Sequence, residues 1–365
     1  MSFTEYLAHQ LELHPAARVE DVVKLCYQAA FGAEHLLSDL DAARKYFDAE
    51  YQRTPASDEP LCETISEGVC RVNLGAWKAS GMPEDWLFGM FAASAKPVSG
   101  GEALFRELLA QATAVIEGGV AANVHPATWE HFVEQYLAGG IRAIHHSEDY
   151  RRAEKPAYRV VSRDYGQLLP VLAKIADVKT EGSVGIIAID GRAASGKSTL
   201  AARLGEIIGA GVVHMDDFFL PPELRSKERL DSPGGNVHYE RFREEVLPRL
   251  RERESFTYGR FDCGVMAMNG HRPVAASEWR IVEGSYSHHP AFGDYADLKI
   301  FCHVDPEEQL RRIVARNGEA MAQMFSSLWI PMEERYIKHF GIDRGAALLL
   351  DGKAQILRGI VPVIY

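Results

Sequence analysis

The sequence is poor in cysteine. It has five, Cys26, Cys62, Cys70, Cys263 and Cys302, among 365 residues, and no two of them stand in a C-x-x-C pair. An odd and scattered set excludes a disulfide framework and a zinc knuckle, and predicts reduced core residues. No uninterrupted apolar run reaches the length of a membrane span, which excludes a helical membrane protein. The first residues, MSFTEYLAHQLELHPAARVED, lack the basic and then apolar segments of a secretory signal, so the expected compartment is the cytoplasm. Positive charge is outnumbered, with 40 Lys and Arg against 51 Asp and Glu and a formal net charge of −11. That balance disfavours nucleic acid as a partner, favours a small molecule, and leaves room for a homo-oligomer. There is no N-K-x-D stretch to read a guanine base, and no internal repeat, heptad array or low-complexity tract. A guanine-specific switch, a solenoid and a coiled coil are therefore not indicated.

The length predicts two domains, since single cores stop growing well below it. Up to about Leu137 the pattern is helical: Val19 to Phe31, Asp41 to Tyr51, Glu102 to Ile116 and Ala127 to Leu137 carry apolar residues at three- and four-residue spacings. A polar stretch, an extended PAYRVV run and one more helix near Tyr165 to Ala176 follow. The boundary is expected between Val178 and Ser183, giving a mainly helical domain over 1–178 and a second domain over 183–365. In the second, short Val- and Ile-rich runs alternate with helical patterns: Val184 to Ile189, Gly211 to His214, Arg280 to Val282, Leu298 to Val304 and Ala346 to Leu350. Such alternation predicts an α/β fold with a parallel sheet flanked by helices.

The strongest signal is VGIIAIDGRAASGKSTLAARLGEII, which satisfies G-x-x-x-x-G-K-[ST] in full from Gly191 to Ser198. An apolar strand precedes it, and Leu200, Leu204, Ile207 and Ile208 then share a helix face, so strand, loop and helix come in P-loop order. Glycines let successive backbone N–H groups turn toward phosphate oxygens, and the helix adds its positive N-terminal end. Gly191, Ala194, Ser195, Gly196, Lys197, Ser198 and Thr199 are the expected nucleotide contacts, with Lys197 on the β and γ phosphates and Ser198 on Mg²⁺. The implied cofactors are ATP and Mg²⁺.

Two strand ends supply carboxylates. GVVHM runs into Asp216 and Asp217, and WRIVEGSYSHHP into Glu283, at the end of the sheet where open α/β folds hold their ligands. A hydroxyl attacking a γ-phosphate needs its proton accepted, which marks Asp216 as the base and a metal ligand, and Glu283 as a second metal or substrate ligand. Each acid taken alone also fits a solvated strand end or a helix cap. In QLRRIVARNG, Arg312 and Arg316 lie four apart on a predicted helix and are candidates for a phosphate clamp that closes as a lid; a solvated helix face fits them equally well.

GRAASGKST, MDDFFLPP, IVEGSYSHHP and RRIVARNG together, and in this order, resemble the uridine kinase family of P-loop kinases over about the last half of the chain. The resemblance implies that Asp216 activates the acceptor hydroxyl and that Phe218 and Phe219 border the acceptor pocket, with Asp217 beside them. TYGRFDCG resembles the family's base-contacting stretch, which implies acceptor contacts from Tyr258, Arg260 and Asp262. Where nucleoside kinases hold the ribose with an aspartate motif, this chain has PGGNVHYERF, placing His238 near the expected acid. That departure argues for a small hydroxyl acceptor other than uridine, although uridine stays among the candidates.

Two other classes remain open at this stage. One is a nucleotide-operated switch or scaffold whose helical half engages a protein partner; the other is a nucleic-acid kinase with a basic groove concealed in the fold. In the first half, CYQAAFGAEHLL and IHHSEDYRRAEKPAYRVV concentrate polar and aromatic residues beyond what a helical core needs, as a second binding surface would. His145 and His146 are adjacent and cannot both face one metal from a helix, and His35 reads as a packed or capping residue.

Overall fold

The computed structural model describes residues 2–34, 39–119, 123–180 and 182–359; His35 lies outside them. The chain divides into two compact units, the first ending at Leu169 and the second beginning at Pro170. The division falls within the helix Leu169–Ala176, ahead of the 178–183 stretch read from composition.

In the first unit the helices Val19–Phe31, Leu40–Arg53, Gly101–Glu117 and Pro126–Ala138 follow the apolar periodicity to within a residue or two. Asp39 starts the second of these by accepting from the Ala42 N–H, as a helix N-cap does. Val19–Phe31 packs on Gly101–Glu117, burying Val23, Cys26, Phe105 and Ala112 between them. A three-stranded antiparallel sheet, β1 (Cys62–Thr64), β2 (Val69–Asn73) and β3 (Tyr158–Ser162), completes the unit, with Cys70 opposite Val161. Only β3 was expected, from PAYRVV. β2 escapes the eye because it is buried on both faces and so shows no polar alternation.

The second unit is built on a six-stranded sheet. Its strands are β4 (Gly185–Gly191), β5 (Gly211–His214), β8 (Trp279–Glu283), β9 (Leu298–Cys302), β10 (Leu348–Leu350) and β11 (Ile356–Arg358), in the order β11-β10-β9-β4-β8-β5. All pairs are parallel except β10 with β11. Central β4 is buried along its whole length, which explains its continuous apolar run. The helix Lys197–Ile208 follows it and lays Leu200, Leu204, Ile207 and Ile208 on the sheet; burying such side chains contributes about 1.5–3 kcal/mol each. Strand, glycine loop and helix on a parallel sheet make this a P-loop α/β fold. A separate antiparallel hairpin, β6 (Phe256–Asp262) and β7 (Ala267–Val274), has most of TYGRFDCG on its first strand. Among the described residues no helix is long and apolar enough to cross a membrane.

Candidate active site

The loop between β4 and its helix is fixed by backbone geometry. Gly191 has φ +144°, and a Cβ there would lie 2.2 Å from the Cys302 carbonyl oxygen of β9, so only glycine lets the loop leave the sheet at this point. Gly196 starts the helix at φ +95°. Between them Ala194 has φ +58°, a conformation costly to a side-chain-bearing residue and found most often at functional sites. The Lys197 ammonium folds over the loop, donating at 2.8 Å to both the Gly191 and Arg192 carbonyls. Ser195 is 2% exposed and its hydroxyl has no partner among the described residues. A buried hydroxyl left over inside a ring of N–H groups suits a phosphate oxygen.

At the neighbouring strand ends the acids and their holders converge. His214 closes β5 opposite Glu283 of β8, and its ring Nδ1 lies 2.6 Å from Glu283 Oε1. The other carboxylate oxygen of Glu283 accepts from the Ser198 hydroxyl at 3.0 Å. Ser198 and Glu283 thus stand together as oxygen donors, the hard ligands Mg²⁺ prefers. Among the described residues no group of three or more His, Cys, Asp or Glu side chains forms a ready cage. A Mg²⁺ site sharing its ligands between protein, phosphates and water needs none.

Asp216 sits just beyond, on a single turn of 3₁₀ helix, Met215–Phe218. Its side chain is exposed, while the protein around it displaces water from the carboxylate. That desolvation raises its pKa above the ordinary aspartate value; the negative charges of Glu283 and Asp217 add to the rise, and Lys197 and His214 oppose it. Asp217 next to it is different. It is buried, receives Arg272 Nε and Nη2 at 2.5 and 3.1 Å, and accepts from the Tyr258 hydroxyl at 2.9 Å. The same Tyr258 oxygen accepts from the His214 N–H at 3.0 Å. The hairpin β6–β7 therefore clamps the turn that carries Asp216.

Residues that no motif announced support the loop from behind. Asp190 accepts from the N–H groups of Gly191, Tyr286 and His288 and from the Tyr336 hydroxyl, at 2.7 to 3.1 Å. Glu333, on the helix Ile330–Phe340, is buried; its Oε2 accepts from the Ala193 N–H at 2.9 Å and its Oε1 lies 2.7 Å from the Ser285 hydroxyl. Burial raises its pKa, and the Lys197 charge opposes the rise. Its neighbour Glu334 takes Arg192 Nε at 2.5 Å and Nη2 at 3.0 Å. A sequence signal for these acids is hard to find, because PMEERY reads as an ordinary amphipathic helix.

On the acceptor side, a short antiparallel pairing joins the Asp216 turn to the segment around Asn236. Phe219 bridges Val237, Leu220 N–H donates to the Asn236 carbonyl at 3.0 Å, and His238 N–H to that of Phe218 at 2.6 Å. Phe218 is buried and stacks on Tyr258, centroids 5.2 Å apart. Phe219 instead faces Trp329 at 6.4 Å and helps line a cleft of about 490 Å³. Trp329 ends a π-helical turn, Phe325–Trp329, of the kind that recurs at functional sites.

The remaining expected residues fall in different places. Arg312 reaches the loop, donating to the Ala194 carbonyl at 3.2 Å and to Glu308 at 2.7 Å. Arg316 is exposed and bonds to Asn317, so the pair is not brought onto one target. Thr199 is exposed on the first helical turn. Arg260 pairs with Asp262 at 3.1 Å on the hairpin. His238 accepts from the Arg241 N–H at 3.3 Å as the N-cap of the helix Tyr239–Glu245.

No protein-family profile matches the chain, and no curated protein matches it. Solved structures similar to about half of the chain include two kinases. The "possible uridine kinase" of Bacillus stearothermophilus is 20% identical, with a TM-score of 0.39, covering 52% of this chain and 98% of that one. The "putative fructose transport system kinase" of Silicibacter sp. TM1040 is 22% identical, with a TM-score of 0.38, covering 48% and 94%.

Proposed function

We propose that the protein is an ATP- and Mg²⁺-dependent kinase that phosphorylates a hydroxyl of a small molecule. The observation that carries the reading is the placing of Asp216: an exposed carboxyl on the turn that the hairpin clamps, beside the Ser198–Glu283 pair and Lys197 of the P-loop. A carboxylate in that place is suited to take the proton of an attacking hydroxyl.

The loop N–H groups, the Ser195 hydroxyl and Lys197 would bind the triphosphate, with Lys197 exchanging its bonds to the Gly191 and Arg192 carbonyls for phosphate oxygens. Bound Mg²⁺ supplies charge neutralisation on the phosphates, and Ser198 and Glu283 would hold it. His214 keeps Glu283 in place. The acceptor oxygen bonds to the γ-phosphorus as the bond to the β,γ-bridging oxygen breaks; Asp216 receives the hydroxyl proton and ADP leaves. Tyr258 and Arg272 act through Asp217 to position that base rather than to touch substrate. Arg312, against the loop, is placed to meet charge on the transferred group.

Mg²⁺-ATP turnover with a panel of nucleosides, sugars and vitamins tests the reading. Acceptor-dependent ADP release that is lost in Asp216→Asn supports it. Tight nucleotide binding with turnover indifferent to every acceptor would leave a nucleotide-operated switch instead.

A further inference from the structure

The cleft that Phe219 helps line, three residues on from Asp216 in the chain, has a charge that runs against the rest of the molecule. In a chain of formal charge −11, it is lined by Arg225, Lys227 and Arg335 with Asp231 as the only acid, leaving two net positive charges. Arg225 spends its Nε on the Leu220 carbonyl at 2.8 Å, and Arg335 one Nη on that of Asp231 at 3.0 Å. A guanidinium carries five N–H donors, and the others on these two arginines have no protein acceptor among the described residues. Lys227, at the start of a short helix, has neither a hydrogen bond nor an ion pair among them. Deeper in, Asn236 is 4% exposed, and neither its amide nitrogen nor its amide oxygen has a partner in hydrogen-bonding geometry, although the Tyr286 hydroxyl lies beside it. The Tyr286 hydroxyl can meet one end of this buried amide, and an end left unmet is costly unless a ligand meets it. The lining also includes the apolar and aromatic side chains of Phe219, Trp329 and Met332.

We propose that this cleft takes an acceptor alcohol that already bears an anionic group, a phosphate monoester in preference to a carboxylate, on a flat or apolar body. The inference rests on the kinase reading and narrows its substrate class. Two free guanidinium forks and an ammonium match a dianion, which accepts paired N–H bonds; Asn236 offers a donor and an acceptor to the polar edge of the body, and Phe219 and Trp329 cover its faces. The anionic group sits at the arginine end, and the hydroxyl to be phosphorylated points toward Asp216. Asn236 and the three cationic residues are thereby specificity residues.

The test uses matched acceptors on the full chain: ribose against ribose 5-phosphate, uridine against uridine 5′-monophosphate, and glycerol against glycerate and glycerol 3-phosphate. The expected result is a kcat/KM at least tenfold higher for the phosphorylated member of a pair, with the hydroxy acid between. Lys227→Gln and Arg335→Gln should each shrink that ratio toward one. A fold defect would lower both members of a pair and leave their ratio unchanged, which would count against the proposal. Equal or better use of the neutral members would overturn it while leaving the kinase reading standing. If no acceptor supports turnover, the kinase reading fails separately, and the part of the intrinsic tryptophan fluorescence that is lost in Trp329→Phe, titrated with the same pairs, decides the inference. Saturable quenching by the phosphorylated members, weakened in Lys227→Gln, sustains an anion-binding cleft, and none with any of them overturns it.

Discussion

Each unit contains a buried polar cluster, and the two are finished differently. In the first, Asp21 accepts from the Arg18 and Ser147 N–H groups, the Ser147 hydroxyl and His146 Nδ1, at 2.6 to 3.1 Å. His146 Nε2 meets the Tyr158 hydroxyl at 2.7 Å, Tyr158 meets Gln28, and Gln28 takes Arg71 at 2.7 Å. Every member has its partner inside the protein. In the second unit the Ser195 hydroxyl is buried without a partner among the described residues, and Asp216 is exposed beside the like charge of Glu283. A closed network supports a core, because a satisfied group has nothing left to offer a ligand. An unfinished one stores a cost that a ligand removes. Of IHHSEDYRRAEKPAYRVV, His146, Ser147 and Tyr158 enter this network.

The largest expected effect lies on the open side. Asp216→Asn should lower kcat by about 10²–10⁴ while nucleotide binding persists, measured by steady-state turnover and by nucleotide titration. Its pH dependence follows from the direction of the shift. The base works only when ionised, so activity of the native protein should fall on acidification through a limb above the ordinary aspartate range, and that limb should vanish in the variant. Because a raised pKa means that the fold penalises the ionised form, the variant should melt higher than the native protein at neutral pH, with the gap closing as the pH falls. A variant that melts lower at neutral pH would place Asp216 with the closed kind of cluster.

Next in size is a cut into the closed network. Asp21→Ala leaves His146, Ser147 and the Arg18 N–H short of an acceptor at once, and should cost on the order of 3 kcal/mol, read by calorimetry of the full chain. The native network has a pH signature of its own. Burial pushes the His146 pKa down to about 4, against an ordinary 6.5. A folded pKa below the unfolded one means that acid favours unfolding. The contribution is complete above pH 6.5 and is lost as the pH falls toward 4, by up to on the order of 3 kcal/mol. Melting of the first unit that stayed flat across that window would show the imidazole to be less enclosed than its bonds indicate.

The two clusters were unequally legible in the sequence. The P-loop could be read outright, because phosphate binding by backbone N–H groups needs glycine at set positions and one lysine, and a motif records both. The strand-end acids could be read from position, since the end of a parallel strand faces the ligand crevice. Asp217 shows where that reasoning stops: it is as well placed in sequence as Asp216, and only the approach of Arg272 and Tyr258, 55 and 41 residues further along, distinguishes a held residue from a free one. Glu333 and Asn236 were missed for the same reason. Their neighbours are Ala193 and Ser285 for one and the cleft for the other, partners that no local pattern encodes. In the helical half, periodicity located the long helices but missed β1 and β2, whose pairing is non-local.

The smallest effect is also the sharpest discriminator between the two kinds of cluster. Ser195→Ala and Ser147→Ala remove the same hydroxyl from buried or half-buried sites. Ser147 caps the helix Glu148–Glu154 through the Tyr150 N–H and donates to Asp21, so its loss should cost about 1 kcal/mol of stability. The Ser195 hydroxyl meets no protein group among the described residues, so its removal should leave stability within about 0.5 kcal/mol or raise it slightly. Its cost should appear only with nucleotide: a hydroxyl that gains a phosphate partner contributes about 0.5–1.5 kcal/mol, and ATP should bind the variant roughly two- to tenfold more weakly. Paired thermal melts with and without Mg²⁺-ATP read both quantities on one sample. A Ser195→Ala protein that loses stability without nucleotide, or binds ATP as tightly as the native chain, would return this hydroxyl to the ordinary core and remove the P-loop half of the contrast.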